Sequence, residues 1–201
     1  MNQFLGPVKT THKTGDEPFH QNGEGFDFDL RSFWQWSASD LLSNATRGIL
    51  AEFLVAHALG DTKKPRVEWD PFDVITKNGI RVEVKSSAYL QSWNQDKLSR
   101  ITFSTRPTFA WESNTNSLAE ERKRQADVYV FCLLNHKRQE TVDPLNIDQW
   151  KFYVISTKSL NVKLGEQKSL GLNTLMKIGA KEAEFENLES VVEKTADNPV
   201  A

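Results

Sequence analysis

Apolar and small residues recur at Leu42, Ala45, Ile49, Ala56 and Leu59, at separations built from three and four, and predict a helix over 40–59. Ser39 or Asp40 supplies its cap and Gly60 its stop. Glu52 falls on the same stripe, and Gly48, Ala51 and Ala56 are small enough for close approach to a sheet. Beyond the helix the period shortens to that of strands. Residues 66–69 predict a short strand, and 72–76 and 80–86 flank Lys77-Asn78-Gly79, a hairpin signal. Residues 100–104 predict another strand and 118–124 a short polar helix. Residues 127–134 form a nearly continuous apolar run, expected of a central strand covered on both faces. A further strand is predicted at 150–155. Between 171 and 193, apolar residues at 172, 175, 178, 185, 188, 191 and 192 predict two helices separated by a turn at Gly179, capping the core. This order predicts an α/β fold, a mixed central sheet flanked by helices.

Composition adds bounds. The chain has 201 residues, 38% hydrophobic and 26% charged, which suits one domain of generous size with a packed core. Residues 1–25 are polar, rich in Gly and Pro and without period, and predict a mobile N-terminal arm. The stretch 26–36 is aromatic enough to be expected to pack on the domain. The expected organisation is an arm over 1–25, a core over 26–160 and a C-terminal helical extension over 161–201 packed on that core. The single cysteine, Cys132, lies in the apolar run, which excludes a disulfide framework and a Cys-rich zinc site and predicts a buried, reduced thiol in a cytoplasmic protein. No apolar stretch reaches the length of a membrane span, and the N-terminus lacks the apolar region of a secretory signal. With a net charge of −2, any nucleic-acid contact must use a local patch.

Several catalytic patterns are absent: there is no P-loop, no Gly-X-Ser-X-Gly elbow and no close pair of histidines. One constellation remains, Asp73, Glu83 and Lys85, with Glu52 upstream. An acid-X-Lys triplet alone carries little, since Asp61/Lys63, Glu83/Lys85, Glu121/Lys123 and Glu166/Lys168 all match. Only Glu83/Lys85 lies in an apolar strand with an aspartate on the partner strand. A two-residue loop, Asn78-Gly79, would set Asp73 opposite Val84 and mix charged with apolar positions. A three-residue loop with Gly79 in the left-handed position sets Asp73 opposite Glu83. One face then carries Val74, Thr76, Ile80, Val82 and Val84, and the other Asp73, Ile75, Arg81, Glu83 and Lys85, so this register is preferred. Two carboxylates in a partly desolvated place call for a cation, and a hard divalent ion answers. The competing view is a solvated strand face with Asp73 paired to Arg81 or Lys85. On spacing alone the two stand level. Glu52, costly in mid-helix without a partner, favours a site in which it binds a second ion or orients Lys85.

These residues, a helix with Glu52, then Phe72-Asp73-Val74, a hairpin, then Val82-Glu83-Val84-Lys85-Ser86-Ser87 and an apolar strand, resemble the PD-(D/E)XK, or restriction-endonuclease-like, nuclease superfamily over roughly 40–135. The resemblance implies an αβββαβ core and magnesium-dependent phosphodiester hydrolysis, with manganese as substitute. It implies Asp73 and Glu83 as metal-binding acids, Lys85 as the catalytic lysine and Glu52 as the helix glutamate, a further catalytic and metal-binding candidate. The text Asp70-Pro71-Phe72-Asp73 departs from the pattern, because Pro does not directly precede the acid, and Asp70 is a rival. Ser86, Ser87, Gln91 and Gln95 are candidates for phosphate contacts, and Tyr89 or Trp93 for stacking, with a core-packing role favoured for Trp93. Arg122-Lys123-Arg124 reads better as a solvated helix end than as a phosphate anchor. The expectation is a metal-dependent endonuclease acting on DNA in restriction, defence or repair. The alternative is an inactive nuclease-fold module for DNA binding or assembly. Double-strand cutting with one site per chain would favour a homodimer.

Overall fold

The computed structural model describes residues 8–68, 70–112 and 117–197, with backbone alone at 110–112, 117 and 118. The chain divides into two compact units, one running to Ser39 and including Lys63–Arg66, the other formed by Asp40–Thr62 and the chain from Val67 onward. In the first, β1 (Pro18–Gln21) and β2 (Glu24–Asp29) pair antiparallel and lead into α1 (Leu30–Ala38). The arm expected through residue 25 is thus a hairpin in its second half. Asn22 (φ 52°) and Gly23 (φ 84°) form its two-residue turn, whose positive φ values match the twist of the paired strands. Phe28 stacks on Phe19 and Phe26, with centroids 4.8 and 5.4 Å apart. The Asp29 carboxylate accepts from the Ser32 N–H at 2.8 Å and caps α1.

In the second unit α2 (Asn44–Ala58) is capped by Ser43, four residues past Ser39 and three past Asp40, the expected caps. Asp40 instead shapes the entry turn, its carboxylate accepting from the N–H groups of Leu42 and Ser43. Gly60, at φ 74°, ends the helix, with the Asp61 N–H on the Ala56 carbonyl at 2.8 Å. The buried stripe is Arg47, Ala51, Leu54 and Val55, so it is rotated from the expected one: Ile49 is 50% exposed and Glu52 lies at the margin, half-buried.

The chain continues through β3 (Val74–Ile75), β4 (Arg81–Ala88), β5 (Thr102–Ser104), β6 (Thr108–Glu112), β7 (Ser117–Lys123) and β8 (Val128–Leu134). It closes with β9 (Trp150–Ser156), α3 (Thr157–Leu164), β10 (Ser169–Gly171), α4 (Leu172–Lys177), β11 (Lys181–Ala183) and α5 (Leu188–Asp197). The central sheet has the order β11-β9-β8-β4-β3, and only its β4–β8 pair is parallel. All seven residues of β8 are buried, as the unbroken apolar run predicts for the middle strand. Its even residues join Val74, Val82 and Val84 against α2 and α5. Its odd residues, Tyr129, Phe131 and Leu133, face Phe103, Leu160, Leu170 and Leu175.

The fold is mixed α/β, as expected, but it departs from αβββαβ between β4 and β8. Residues 118–124, expected as a helix, belong to β7 and its end, and β7 pairs with β6. The strand near 102 pairs with β10 outside the central sheet. Residues 66–68 are not a strand, and Trp69 lies outside the described residues. The C-terminal segment, expected as two helices, contributes β11 to the sheet edge between α4 and α5, turning at Gly179 (φ 91°). No helix among the described residues is long and apolar enough to cross a membrane.

Candidate active site

The β3–β4 hairpin takes the three-residue loop. Val74 pairs with Val82 and Ile75 with Arg81. The Thr76 N–H donates to the Ile80 carbonyl and the Gly79 N–H to the Thr76 carbonyl, both at 2.9 Å, with Gly79 at φ 81°. Val74, Val82 and Val84 are buried against α2, while Glu83 and Lys85 emerge on the other face beside their β8 partners Tyr129 and Phe131. One residue of slip would have sent Glu83 and Lys85 into the apolar core, so burial of the valines holds the site in register.

The ladder ends at Val74, and Asp73 continues it in another way. Its N–H donates to the Val82 carbonyl at 3.1 Å, and its carboxylate accepts from the Val84 N–H at 2.7 Å. A side-chain oxygen takes the place of the next backbone carbonyl, which draws the Asp73 carboxylate onto β4. Glu83 and Lys85 are joined by an ion pair at 2.5 Å, with side chains 20% and 29% exposed. Asp70, the rival acid, is exposed.

The charges do not balance. Arg81, which the solvated-face view would have paired with Asp73, is held by Asp127 through Nε at 3.0 Å and Nη2 at 2.6 Å. That leaves the Lys85 ammonium to serve both carboxylates. Burial, and then the neighbouring Glu83 charge, push the Asp73 carboxyl up to about 6, despite Lys85 and the Val84 N–H. Burial works against the Lys85 ammonium, but Glu83, Asp73 and Glu52 outweigh it and hold the group above the usual lysine value. Burial and Glu83 likewise raise the Tyr129 phenol, which stays neutral. Glu52 acts on Asp73 and Lys85 through its charge. Among the described residues no group of three or more His, Cys, Asp or Glu side chains gathers to hold a metal, so Glu52 is not assembled with Asp73 and Glu83 as a third ligand.

The residues expected to touch phosphates are differently employed. Ser86 accepts from Arg47 Nε at 3.1 Å, and Gln91 Oε1 from Arg47 Nη1 at 3.0 Å. Gln95 accepts from the Gln91 N–H at 2.7 Å and donates to the Tyr89 carbonyl and Ser99 Oγ. Ser87 is buried. These groups brace the loop after β4, because a long polar segment leaving a buried strand must satisfy its own backbone. Trp93, favoured as a core residue, is 53% exposed. Arg47, which the sequence reading passed over, is buried among neutral acceptors, with Leu42 O at 2.8 Å and Asn44 Oδ1 at 2.7 Å completing its set. No local signal marks it, since two of its partners lie about forty residues away. Arg124 is no solvated helix end either: it is buried, donating to Thr105 O at 2.9 Å and Asn161 Oδ1 at 2.6 Å.

A family model described as bacteriophage T4 endonuclease IV matches residues 30–174, more than half of the chain. The chain belongs to the bacteriophage T4 endonuclease IV family. The match to this endonuclease family spans α2, the hairpin and β8, and so includes Glu52, Asp73, Glu83 and Lys85. No curated protein matches the chain. Membership of the endonuclease IV family makes this a nuclease family member, and the hairpin is where its acids and one ammonium converge.

Proposed function

We propose that the protein is a divalent-cation-dependent DNA endonuclease with a PD-(D/E)XK-type site, in which Asp73 and Glu83 hold the cation and Lys85 is the catalytic lysine. The observation that carries this reading is the charge imbalance at the hairpin, where two carboxylates share one ammonium and burial and Glu83 keep the Asp73 carboxyl near 6. The donor set suits a hard ion that takes one or two carboxylates and completes its shell with waters and substrate phosphate, which favours magnesium, with manganese as substitute. When bound, such an ion supplies Lewis acidity at the phosphorus and eases activation of water.

The chain's own residues do the rest. The Val84 N–H fixes one oxygen of Asp73, so that carboxylate is oriented before anything binds. Glu83 holds the Lys85 ammonium by a charge-assisted hydrogen bond, and the raised basicity of Lys85 keeps it protonated at neutral pH. Lys85 therefore acts first as a positive donor toward negative charge developing on the phosphoryl oxygens. Glu52 adds negative charge that keeps the lysine protonated. Products with a 5′-phosphate and a 3′-hydroxyl are expected.

The test is direct. Plasmid and single-stranded DNA are incubated with magnesium, manganese or EDTA, and the product ends are read by mass spectrometry. Cutting should need the ion and fall at least about 100-fold in Lys85→Ala and in Asp73→Asn. Cutting that survives either substitution, or EDTA, would refute the assignment. No cutting of either DNA, with no manganese bound by calorimetry, would leave the inactive-module alternative.

A further inference from the structure

The parallel strands β4 and β8 end at the same edge of the sheet, with Ala88 beside Leu134. The chain leaving β4 and the chain leaving β8 form the two walls of a cleft of about 390 Å³. Lys97 lines it from the first segment, and Lys137 and Arg138 from the second. Among the described residues none of these three cations is in an ion pair, and the cleft holds one acid, Glu140. In a chain of net charge −2 this is a local concentration of uncompensated positive charge.

Both walls are fixed in advance. On one, the Ser99 N–H closes onto the Tyr89 carbonyl at 2.9 Å, and Gln91 and Gln95 cross-brace the loop and tie it to buried Arg47. On the other, the Gln149 side chain bonds the Asp143 N–H and the Thr141 carbonyl, both at 2.9 Å, and the His136 ring bonds Thr141 Oγ1 at 2.8 Å. The Lys137 ammonium lies 4.5 Å from the centre of the Tyr89 ring and joins the walls. Tyr89, under Lys137, packs against the same buried cluster as Tyr129 and Phe131, the β8 partners of Glu83 and Lys85. Leu90 follows Lys85 by five positions, at most on the order of 16 Å along the chain.

We propose that this cleft binds the phosphate backbone of the nucleic acid, with Lys97, Lys137 and Arg138 each facing a phosphate a few nucleotides from the bond cut at the hairpin. The proposal rests on the nuclease reading for its choice of ligand. The cations position the strand and carry no sequence information, as phosphate contacts do elsewhere. A preformed site of this kind loses little entropy on binding, which is the physical use of the bracing.

The experiment measures binding of a fluorescein-labelled DNA oligonucleotide by anisotropy, in EDTA, across a sodium chloride series. It compares the wild type with Lys97→Ala/Lys137→Ala/Arg138→Ala and with a control of equal charge change at exposed sites, Lys158→Ala/Lys177→Ala/Lys181→Ala. The cleft variant should bind at least about tenfold more weakly, and the slope of log affinity against log salt should shrink by about 2 to 3, while the control shifts far less. All six side chains are exposed, so thermal unfolding should stay cooperative and report intact folding, with at most a small fall in Tm in the cleft variant from the lost Lys137–Tyr89 contact. Wild-type affinity and slope in the cleft variant, equal losses in the two variants, or no binding by the wild type would each overturn the proposal. Asp73→Asn separates it from the nuclease reading: that reading fails if this variant cuts, whereas the cleft fails only on the binding data.

Discussion

Replacing Asp73 by Asn should stabilise the cation-free protein while abolishing cutting. The side-chain oxygen of Asn can still accept from the Val84 N–H, so the hydrogen bond at 2.7 Å survives and only the charge is removed. Burial and Glu83 raise the Asp73 carboxyl from 3.8 to about 6. A raised carboxyl means that, between those values, the folded chain holds a proton that the unfolded chain has released. Stability therefore falls as pH rises through that window, and the whole penalty stands above it. At 1.36 kcal/mol per unit the penalty is about 3 kcal/mol as an upper bound. For a chain of this size that is a rise in Tm of up to about 6–12 °C in the variant at about pH 8, shrinking to nothing near pH 4. Thermal unfolding in EDTA across that pH range measures it. Saturating magnesium should reverse the order, since an ion bound only by the folded wild type adds about 4.1 kcal/mol at a thousandfold excess over its Kd and adds nothing to the variant. Destabilisation of the variant at high pH, or a gain of equal size at both ends of the range, would show that Asp73 is not a frustrated charge.

Other perturbations test the scaffold. Arg47→Leu should lose about 2–4 kcal/mol in urea unfolding, because Asn44, Ser86, Gln91 and the Leu42 carbonyl lose their shared donor; Arg47→Lys should recover little, lacking the forked geometry. Gly79→Ala should cost about 1–2 kcal/mol, all of it backbone strain at φ 81°, since an added Cβ meets nothing within 4 Å. Phe131→Ala should cost about 3–5 kcal/mol by equilibrium unfolding, since the ring, beside Lys85 on the neighbouring strand, is fully buried and packs edge-on to Phe103 at 5.1 Å.

The parts of this protein written in its sequence are those governed by neighbours along the chain. Alternation in β4 separates valines from charges, Gly79 supplies the left-handed residue of a three-residue turn, and the two together determine that Asp73 and Glu83 meet. The unbroken apolar run of β8 determines a strand covered on both faces, and with it a buried Cys132. The Asn22-Gly23 turn was equally legible as a hairpin signal, and the polar composition around it masked it. Other features had no local mark. Residues 118–124 carry a helical composition, yet pairing with β6 makes most of them a strand, because strand pairing satisfies backbone groups that a short isolated helix satisfies poorly. Ser86, Gln91 and Gln95 look like free polar groups until the fold brings Arg47 and the loop's own carbonyls to them. The register of the hairpin was thus local, while the assignment of Arg81 to Asp127, which leaves one ammonium to two acids, was decided only when β4 came to lie parallel to β8. A charge's partner depends on what lies next to it in space, and a contact 46 residues distant along the chain leaves no trace in spacing.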